Sequence, residues 1–308
     1  MDTEPGGQPR SRSFGPAAWR ERGRHMSPTM RGIFWAVAAG VQFSLLNTIA
    51  RKMTLELDPF QTQFLRYLMG LVVMLPLILR SGVSAYMPNG LGGQLWRGVV
   101  HTAGLMLWFS ALPHIPLVTM TALGFTTPIF IMVGAAWLLH EKISTARWIA
   151  AVIGFSGVLV VVAPRLTLDG GFYTLVMLAS SPVFAASFLI TKALTKRDNS
   201  EVIVVWQSLT VSLFTLPLAI YYWQWPTPTQ WMWLALAGVF GSAGHYSLTQ
   251  SFRVADISAT QSVRFLDLIW AALLGLMVFG DVPSQWTIVG GLIIFASTLW
   301  ITRHEAKK

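Results

Sequence analysis

Cysteine is absent from all 308 positions, which excludes disulfides, thiolate metal sites and a cysteine nucleophile. Charged residues are scarce, at 11% of the sequence against 54% hydrophobic residues, and this balance excludes a soluble globular protein. The chain also lacks a nucleotide-binding motif such as a P-loop, which excludes ATP-driven pumping by this chain alone. Neither the filter loop nor the rings of like residues expected of a channel are present.

Long runs of apolar residues recur along the sequence. A run of about 20 residues crosses the hydrocarbon core of a bilayer as an α-helix. The runs do not alternate polar and apolar residues as the strands of a membrane barrel do. We therefore predict an all-α integral membrane protein of ten transmembrane helices. The predicted spans are 32–50, 59–79, 98–112, 116–139, 148–164, 171–191, 201–222, 230–251, 257–279 and 285–302.

The net charge of +9 follows the membrane topology rather than a nucleic-acid surface. With the N-terminus placed in the cytoplasm, 17 of the 22 Lys and Arg residues fall in cytoplasmic segments and three in segments on the other side. Arg97 is counted here in a cytoplasmic loop at 80–97, whereas Arg66 and Arg264 lie within spans. The asymmetry predicts that both termini are cytoplasmic. It also indicates that the protein associates with a lipid bilayer and not with a nucleic acid.

The two halves of the chain repeat the same spacing. The tripeptide Leu-Pro-Leu occurs at 75–77 and again at 216–218, and the segments 104–141 and 244–281 align without a gap. Each copy has five spans, and because five is odd, the second copy must enter the bilayer from the opposite side. Inverted repeats around a midplane site are typical of alternating-access transporters.

These patterns divide the chain into four segments. Residues 1–30 are rich in Arg, Gly, Pro and Ser without an apolar core, which predicts a disordered basic tail rather than a signal peptide. Met26 and Met30 are alternative starts within or at the end of that tail. The first five-helix repeat is expected at 31–164, the second at 165–302, and a cytoplasmic C-terminal tail at 303–308.

A known family carries a similar pattern of motifs. LPHIPL at 112–117 leads through Thr-Pro at 127–128 to His-Glu-Lys at 140–142, and Gly-Phe-Ser-Gly-Val follows at 154–158. Over residues 31–302 this resembles the EamA-type repeat of the drug/metabolite transporter superfamily. The resemblance implies a central cavity lined mainly by helices 1, 3, 4, 6, 8 and 9. It also implies transport of amino acids, vitamins or related metabolites across the inner membrane of a bacterial cell, in either direction.

The ninth span holds the strongest candidates for a binding site. Gln261, Arg264 and Asp267 or Leu268 fall at steps of three and four and therefore share one helix face. A charged residue at a helix centre costs about 2.5–3.5 kcal/mol on insertion scales, so these side chains must face protein or water. We predict that Arg264 binds an anionic group while Asp267 tunes it or binds a cation or proton. A neutralised pair that only fixes helix packing is the alternative. The run RFLDL at 264–268 resembles the branch of S-adenosylmethionine and riboflavin uptake carriers.

Polar and aromatic side chains of other spans complete the predicted substrate site. They are Asn47, Trp108, Thr121, Phe125, His245 and Tyr246. The polar members equally fit interhelical hydrogen bonds worth about 0.6 kcal/mol, and the aromatic members equally fit an apolar core. Trp108 and Phe125 are candidates for stacking on a flat ring, and His245 for relaying a proton. No cofactor or metal is predicted.

Three further groups are expected to be structural. Arg66 is predicted to tie the second span to a neighbouring carbonyl group, since the resemblance places that span outside the cavity. A place in the lining of the site is the alternative. Glu141 and Asp281 end the fourth and ninth spans, where an acidic group bonds a nearby loop or the N-terminus of a helix. Glycines at 154, 157, 238, 241 and 244 are expected to permit close helix contacts.

An intramembrane protease is the alternative class that one short motif suggests. The string Gly-Phe-Ser-Gly at 154–157 matches that of rhomboid intramembrane proteases, with Ser156 as nucleophile and His245 as base. Glycine and serine recur easily in membrane helices, so an enzyme is not predicted. The favoured function is secondary transport of a small polar metabolite such as an amino acid, a vitamin or a nucleoside-like compound. An efflux pump of the same fold is the alternative, and the coupling ion, if any, and a monomeric or dimeric state are left open.

Overall fold

The computed structural model consists of helices joined by short connections. It describes residues 26–114, 123–124, 126–162, 171–280, 282 and 284–306. In this part of the chain there are ten long helices and no strand. They are α1 (Pro28–Thr54), α2 (Pro59–Ser81), α3 (Leu91–Ala111), α4 (Thr126–Leu138), α5 (Thr145–Val162), α6 (Gly171–Leu194), α7 (Ser200–Tyr221), α8 (Pro228–Val254), α9 (Ile257–Phe279) and α10 (Gln285–Ala306).

Three of these helices begin with the same local device. A capping side chain is followed directly by proline in Ser27-Pro28, Asp58-Pro59 and Thr227-Pro228. The cap accepts hydrogen bonds from free backbone N–H groups, and proline at the first helical position has no N–H that needs a partner. These pairs explain why α1, α2 and α8 start where they do.

Length and composition identify the molecule as an integral membrane protein. Five helices, α1, α2, α6, α7 and α9, contain windows long and apolar enough to cross a membrane. Large apolar side chains such as Val72, Leu213 and Met277 are exposed on the outside of the bundle. Contiguous exposed apolar surface of this kind is expected where lipid, not water, surrounds the protein.

The helix contacts follow a twofold pattern between the first five helices and the last five. The most extensive contacts pair α1 with α8, α3 with α6, α2 with α7 and α5 with α10, followed by α1 with α9, α2 with α8 and α4 with α6. Exchanging the two halves converts α1–α8 into α6–α3 and α4–α6 into α9–α1, and leaves α2–α7 and α5–α10 unchanged. The two halves therefore pack as structural equivalents.

Small residues bring helices of the two halves together. A Cβ atom added to Gly238 of α8 would lie 2.7 Å from the backbone of Met69 in α2, and one on Gly157 of α5 would lie 2.9 Å from the carbonyl of Gly290 in α10. At both positions the backbones meet where a side chain would stand, as predicted for these two glycines.

The structure corrects the position of Arg97. The sequence analysis placed this residue in a loop, but α3 begins at Leu91 and Arg97 lies about 1.7 turns inside it. The residue is 2% exposed. Its guanidinium is satisfied by partners on α6 and α7, which allows a charged residue to enter the bundle.

A charged cavity between the two halves

A cavity of about 180 Å³ lies at the centre of the bundle, between the two halves. Side chains of α1, α2, α3, α4, α6, α8 and α9 line it, so both halves contribute to one site. Its polar and charged lining consists of Ser44, Asn47, Arg66, Thr127, Ser180, His245, Arg264 and Asp267. Its aromatic lining consists of Phe43, Trp108, Phe184 and Phe188.

An ion pair on α9 forms part of the wall. The helix changes from α to 3₁₀ geometry over Ser262–Leu266 and returns to α geometry at Asp267. Because residues three apart align in a 3₁₀ helix, Arg264 and Asp267 lie side by side, with Nη2 and Oδ2 3.6 Å apart. The Arg264 guanidinium also lies 5.6 Å from the centre of the Phe188 ring on α6.

Space for this pair depends on Gly40 of α1. A Cβ atom at Gly40 would lie 2.1 Å from Oδ1 of Asp267. The absent side chain therefore admits the carboxylate between α1 and α9, which fixes Asp267 at the cavity wall.

Arg66 also faces the cavity, contrary to the prediction of a structural tie to a carbonyl. Its side chain is 6% exposed, and the guanidinium carbon lies 4.1 Å from the centre of the Tyr67 ring. Among the described residues it has neither a hydrogen-bond acceptor nor an acidic partner within ion-pair distance. The sequence contained a signal for a place of Arg66 at the cavity, because an arginine inside a span is costly unless it faces protein or water.

A hydrogen-bonded network lies behind the cavity and reaches it at His245. The phenolic oxygen of Tyr67 lies 3.3 Å from Nε2 of His245 and 3.1 Å from Nε2 of His101. The Gln207 side-chain amide donates to Tyr67 at 3.3 Å and approaches the His245 ring nitrogens at 3.2 and 3.3 Å. These contacts join α2, α3, α7 and α8 and hold His245 in place.

Arg97 closes the network at its other side. Its guanidinium donates to the side chains of Thr191 and Gln207 and, at 3.3 Å, to the carbonyl of Ile203. Three acceptors from α6 and α7 thus surround this buried cation, which meets the need of a buried charge for hydrogen-bond partners.

The predicted site residues divide into three groups. Asn47, Trp108, His245, Arg264 and Asp267 lie together in the cavity wall. Two others lie outside the lining: the amide of buried Gln261 donates to Ile257 and Thr260, and the hydroxyl of Tyr246 accepts from Gln250 at 2.8 Å. Thr121 and Phe125 fall outside the described residues.

Hydrogen bonds also join the two halves at one end of the bundle, which we call the near end because α1 begins there. The Glu141 carboxylate accepts from the backbone N–H groups of Ile257 and Ser258, at 3.0 and 3.2 Å, and so caps the start of α9. The Asp198 carboxylate accepts from the Asn89 N–H and the Gln94 side chain, at 2.8 and 2.7 Å. Glu141 thus makes the helix-capping contact expected of it, while Asp281 falls outside the described residues.

Ser156 does not form a nucleophile–base pair with His245. Its hydroxyl donates to the Ile153 carbonyl of its own helix at 2.8 Å, on an exposed face of α5. His245 is engaged with Tyr67 and Gln207 instead. A catalytic pair requires hydrogen-bond reach between the two groups.

Comparison with known proteins identifies the class to which this fold and cavity belong. The chain is a member of the EamA-like transporter family, whose model matches residues 30–163 and again residues 171–303. It is therefore a transporter of the drug/metabolite superfamily and not an enzyme, as the sequence motifs predicted.

Two relatives and one solved structure show how far the similarity extends. The riboflavin transporter of Rhizobium johnstonii is 31% identical over 90% of this chain and 92% of its own length. The S-adenosylmethionine uptake transporter of Rickettsia prowazekii is 27% identical over 90% of this chain and 94% of its own length. A crystal structure that shares 18% identity aligns with a TM-score of 0.75, covering 90% of this chain and 97% of that chain, and supports the fold alone.

Proposed function

We propose that this protein is a secondary carrier that moves a small polar metabolite across a bacterial inner membrane by alternating access. The observation that carries the proposal is the cavity itself, because it is charged, lies inside an apolar bundle and is lined by both halves. Intramembrane charges are expensive and mark substrate or ion pathways in transporters. A site shared by two structurally equivalent halves is the arrangement that rocking of one half against the other requires.

Arg264 and Asp267 are the proposed centre of substrate recognition. The guanidinium has five N–H donors, and the ion pair with Asp267 leaves donors for a polar group of the substrate. Asn47 and His245 supply further polar contacts, and Trp108 supplies an aromatic surface. Gln261 and Tyr246 are proposed to support the site from outside the cavity wall.

The proposed topology places the near end in the cytoplasm with both termini. In that orientation the contacts of Glu141 and Asp198 close the cytoplasmic side of the cavity. Alternating access would then require these contacts to break when the substrate is released into the cell. The positive-inside distribution of Lys and Arg supports the orientation.

The names of the relatives suggest two compounds for a first assay, riboflavin and S-adenosylmethionine. Each has a flat ring system that fits a wall with four aromatic side chains. Import and export are distinguished by comparing metabolites inside and outside cells with and without the gene.

The decisive experiment is tracer uptake by purified protein in proteoliposomes. Radiolabelled riboflavin and S-adenosylmethionine are tested together with a pool of labelled amino acids. We expect the wild type to accumulate at least one of them, Arg264→Ala to lose most of the uptake, and Arg253→Ala to retain it. Arg253 is the matched control because it is an exposed arginine on α8 outside the cavity. Wild-type uptake by Arg264→Ala would remove α9 from the proposed site.

A further inference from the structure

Two arginines that lie inside the bundle differ in what surrounds them. Arg97 and Arg66 are 2% and 6% exposed, so both are removed from lipid and bulk water. Arg97 donates to three acceptors on α6 and α7. Arg66 contacts the face of the Tyr67 ring and, within the described residues, donates to no acceptor. Its unused donors point to a partner that the protein itself does not provide.

The charges of the cavity wall do not balance. Among the described lining residues, Arg66 and Arg264 carry positive charge and Asp267 carries the single negative charge. Asp267 lies 3.6 Å from Arg264 and within ion-pair distance of no second described cation. The pair on α9 is therefore internally neutral, and Arg66 leaves the cavity with one uncompensated positive charge.

An uncompensated charge inside a membrane protein is costly unless a partner accompanies it. The effective penalty for removing an ion from water is several kcal/mol even after relaxation of the protein. A planar guanidinium is suited to binding a carboxylate or phosphate through two parallel hydrogen bonds. An anionic group next to Arg66 would offset the penalty and satisfy its free donors.

The other surfaces of the cavity favour a flat ring. Phe184 and Phe188 stack with their ring planes 17° apart and their centres separated by 6.2 Å. Phe43 and Trp108 also belong to the wall. Aromatic walls of this kind bind planar apolar groups, while a small number of polar groups fixes their orientation.

We propose that Arg66 is the anion-binding residue of the substrate site, and that the substrate is a compound with a flat ring and an anionic group such as a carboxylate or a phosphate. The proposal rests on the carrier function given above and refines its substrate class. Arg264 retains its contact with the substrate, but its charge is already neutralised by Asp267. Arg66 therefore sets the requirement for an anion.

The experiment uses pairs of compounds that differ in one anionic group. The pairs are indole-3-acetate with indole-3-acetamide, flavin mononucleotide with riboflavin, and S-adenosylmethionine with its decarboxylated form. Dissociation constants are measured by isothermal titration calorimetry on the full-length protein in detergent. The variants are Arg66→Gln, Arg66→Lys, the double variant Arg264→Gln/Asp267→Asn and, as a matched control, Arg253→Gln. Thermal unfolding is recorded for each to confirm that it is folded.

In at least one pair the wild type should bind the anionic member about tenfold more tightly or better, as expected for a hydrogen bond to a charged group. Arg66→Gln should abolish the preference and Arg66→Lys should retain part of it, because lysine keeps the charge but not the planar fork. The double variant Arg264→Gln/Asp267→Asn removes the neutral pair as a whole and should keep the preference, even where it weakens both members of a pair. Arg253→Gln should also keep the preference.

Equal binding of both members in every pair overturns the proposal, as does a preference that survives in Arg66→Gln. Absence of binding by all six compounds at millimolar concentration also overturns it. Tracer uptake in proteoliposomes separates this outcome from failure of the carrier function: a protein that transports but shows no charge preference refutes the role of Arg66 alone. A protein that transports none of the tested solutes counts against the carrier function, whatever the calorimetry shows.

Discussion

Replacing Gly238 with alanine should force apart α2 and α8, the two helices that carry Arg66 and His245. The new Cβ atom would lie 2.7 Å from the backbone carbonyl carbon and the Cβ of Met69 and 2.8 Å from the backbone nitrogen of Gly70. Ordinary contact begins at 3.4 Å, so the helices must separate by about 0.7 Å. Backbone cannot rotate away as a side chain can, and overpacking of this kind costs about 1–3 kcal/mol.

Gly291→Ala is the matched control for this substitution. Gly291 lies inside α10, and a Cβ atom there would meet no atom within 4 Å. Both changes gain the higher helix propensity of alanine, about 1 kcal/mol, so this gain cancels in the comparison. The difference between the two variants therefore isolates the cost of the close contact.

Unfolding by sodium dodecyl sulfate in mixed micelles, followed by the fluorescence of the 14 tryptophans, measures this difference. We expect Gly238→Ala to be less stable than Gly291→Ala by about 1–3 kcal/mol. It should also bind ligand more weakly, because the distance between α2 and α8 sets the width of the cavity at Arg66. Equal unfolding midpoints for the two variants would refute the inference that α2 and α8 meet at Gly238.

Three further predictions follow from the contacts and from the proposed topology. In the cysteine-free chain, an impermeant maleimide should label Trp225→Cys in intact cells but Val83→Cys only after permeabilisation; the same labelling pattern for both would contradict the topology. Glu141→Gln should lower stability by about 1 kcal/mol, because it weakens the cap at Ile257, and an unchanged melting temperature would argue against this role. Exchange of labelled for unlabelled substrate should be faster than net efflux, because the empty site leaves the charge of Arg66 uncompensated; equal rates would count against that charge balance.

The membrane class and the repeat could be predicted because they depend on properties that each residue carries by itself. Apolar runs reveal spans without knowledge of their neighbours, and Ser27-Pro28 or Thr227-Pro228 marks a helix start locally. The family motifs were likewise local, and the family match confirmed them. The ten-span crossing and the orientation of the termini stay predictions.

The environment of the arginines could not be predicted, because it depends on residues far away in the sequence. Arg97 was assigned to a loop since hydropathy registers its charge but not Thr191, Ile203 and Gln207, which satisfy it from about 100 positions away. Arg66 was assigned a structural role because the family resemblance placed the second span outside the cavity. Whether a buried cation has acceptors is a property of the packed helices, not of the residue.

Two other side chains show the limits of helical spacing. Tyr246 follows His245 directly but projects about 100° away from it around α8. Its hydroxyl accepts a hydrogen bond from Gln250, outside the cavity lining. Gln261 shares a face with Arg264 but lies one turn nearer the start of α9, where its amide donates to Ile257 and Thr260. Periodicity gives the direction of a side chain around the helix, but the depth at which a cavity ends depends on the surrounding helices.

The change of helical geometry within α9 gives this helix a segment whose length can change. A residue in 3₁₀ geometry advances about 2.0 Å along the axis and one in α geometry about 1.5 Å. Rewinding the five residues Ser262–Leu266 would therefore shorten the helix by about 2.5 Å. Arg264 lies inside this stretch. Ile257, whose N–H group donates to Glu141, is the first residue of α9 and lies five residues before the stretch. A solute that rewinds the turn around Arg264 would thus shift Ile257, seven residues away, relative to the Glu141 carboxylate that binds it.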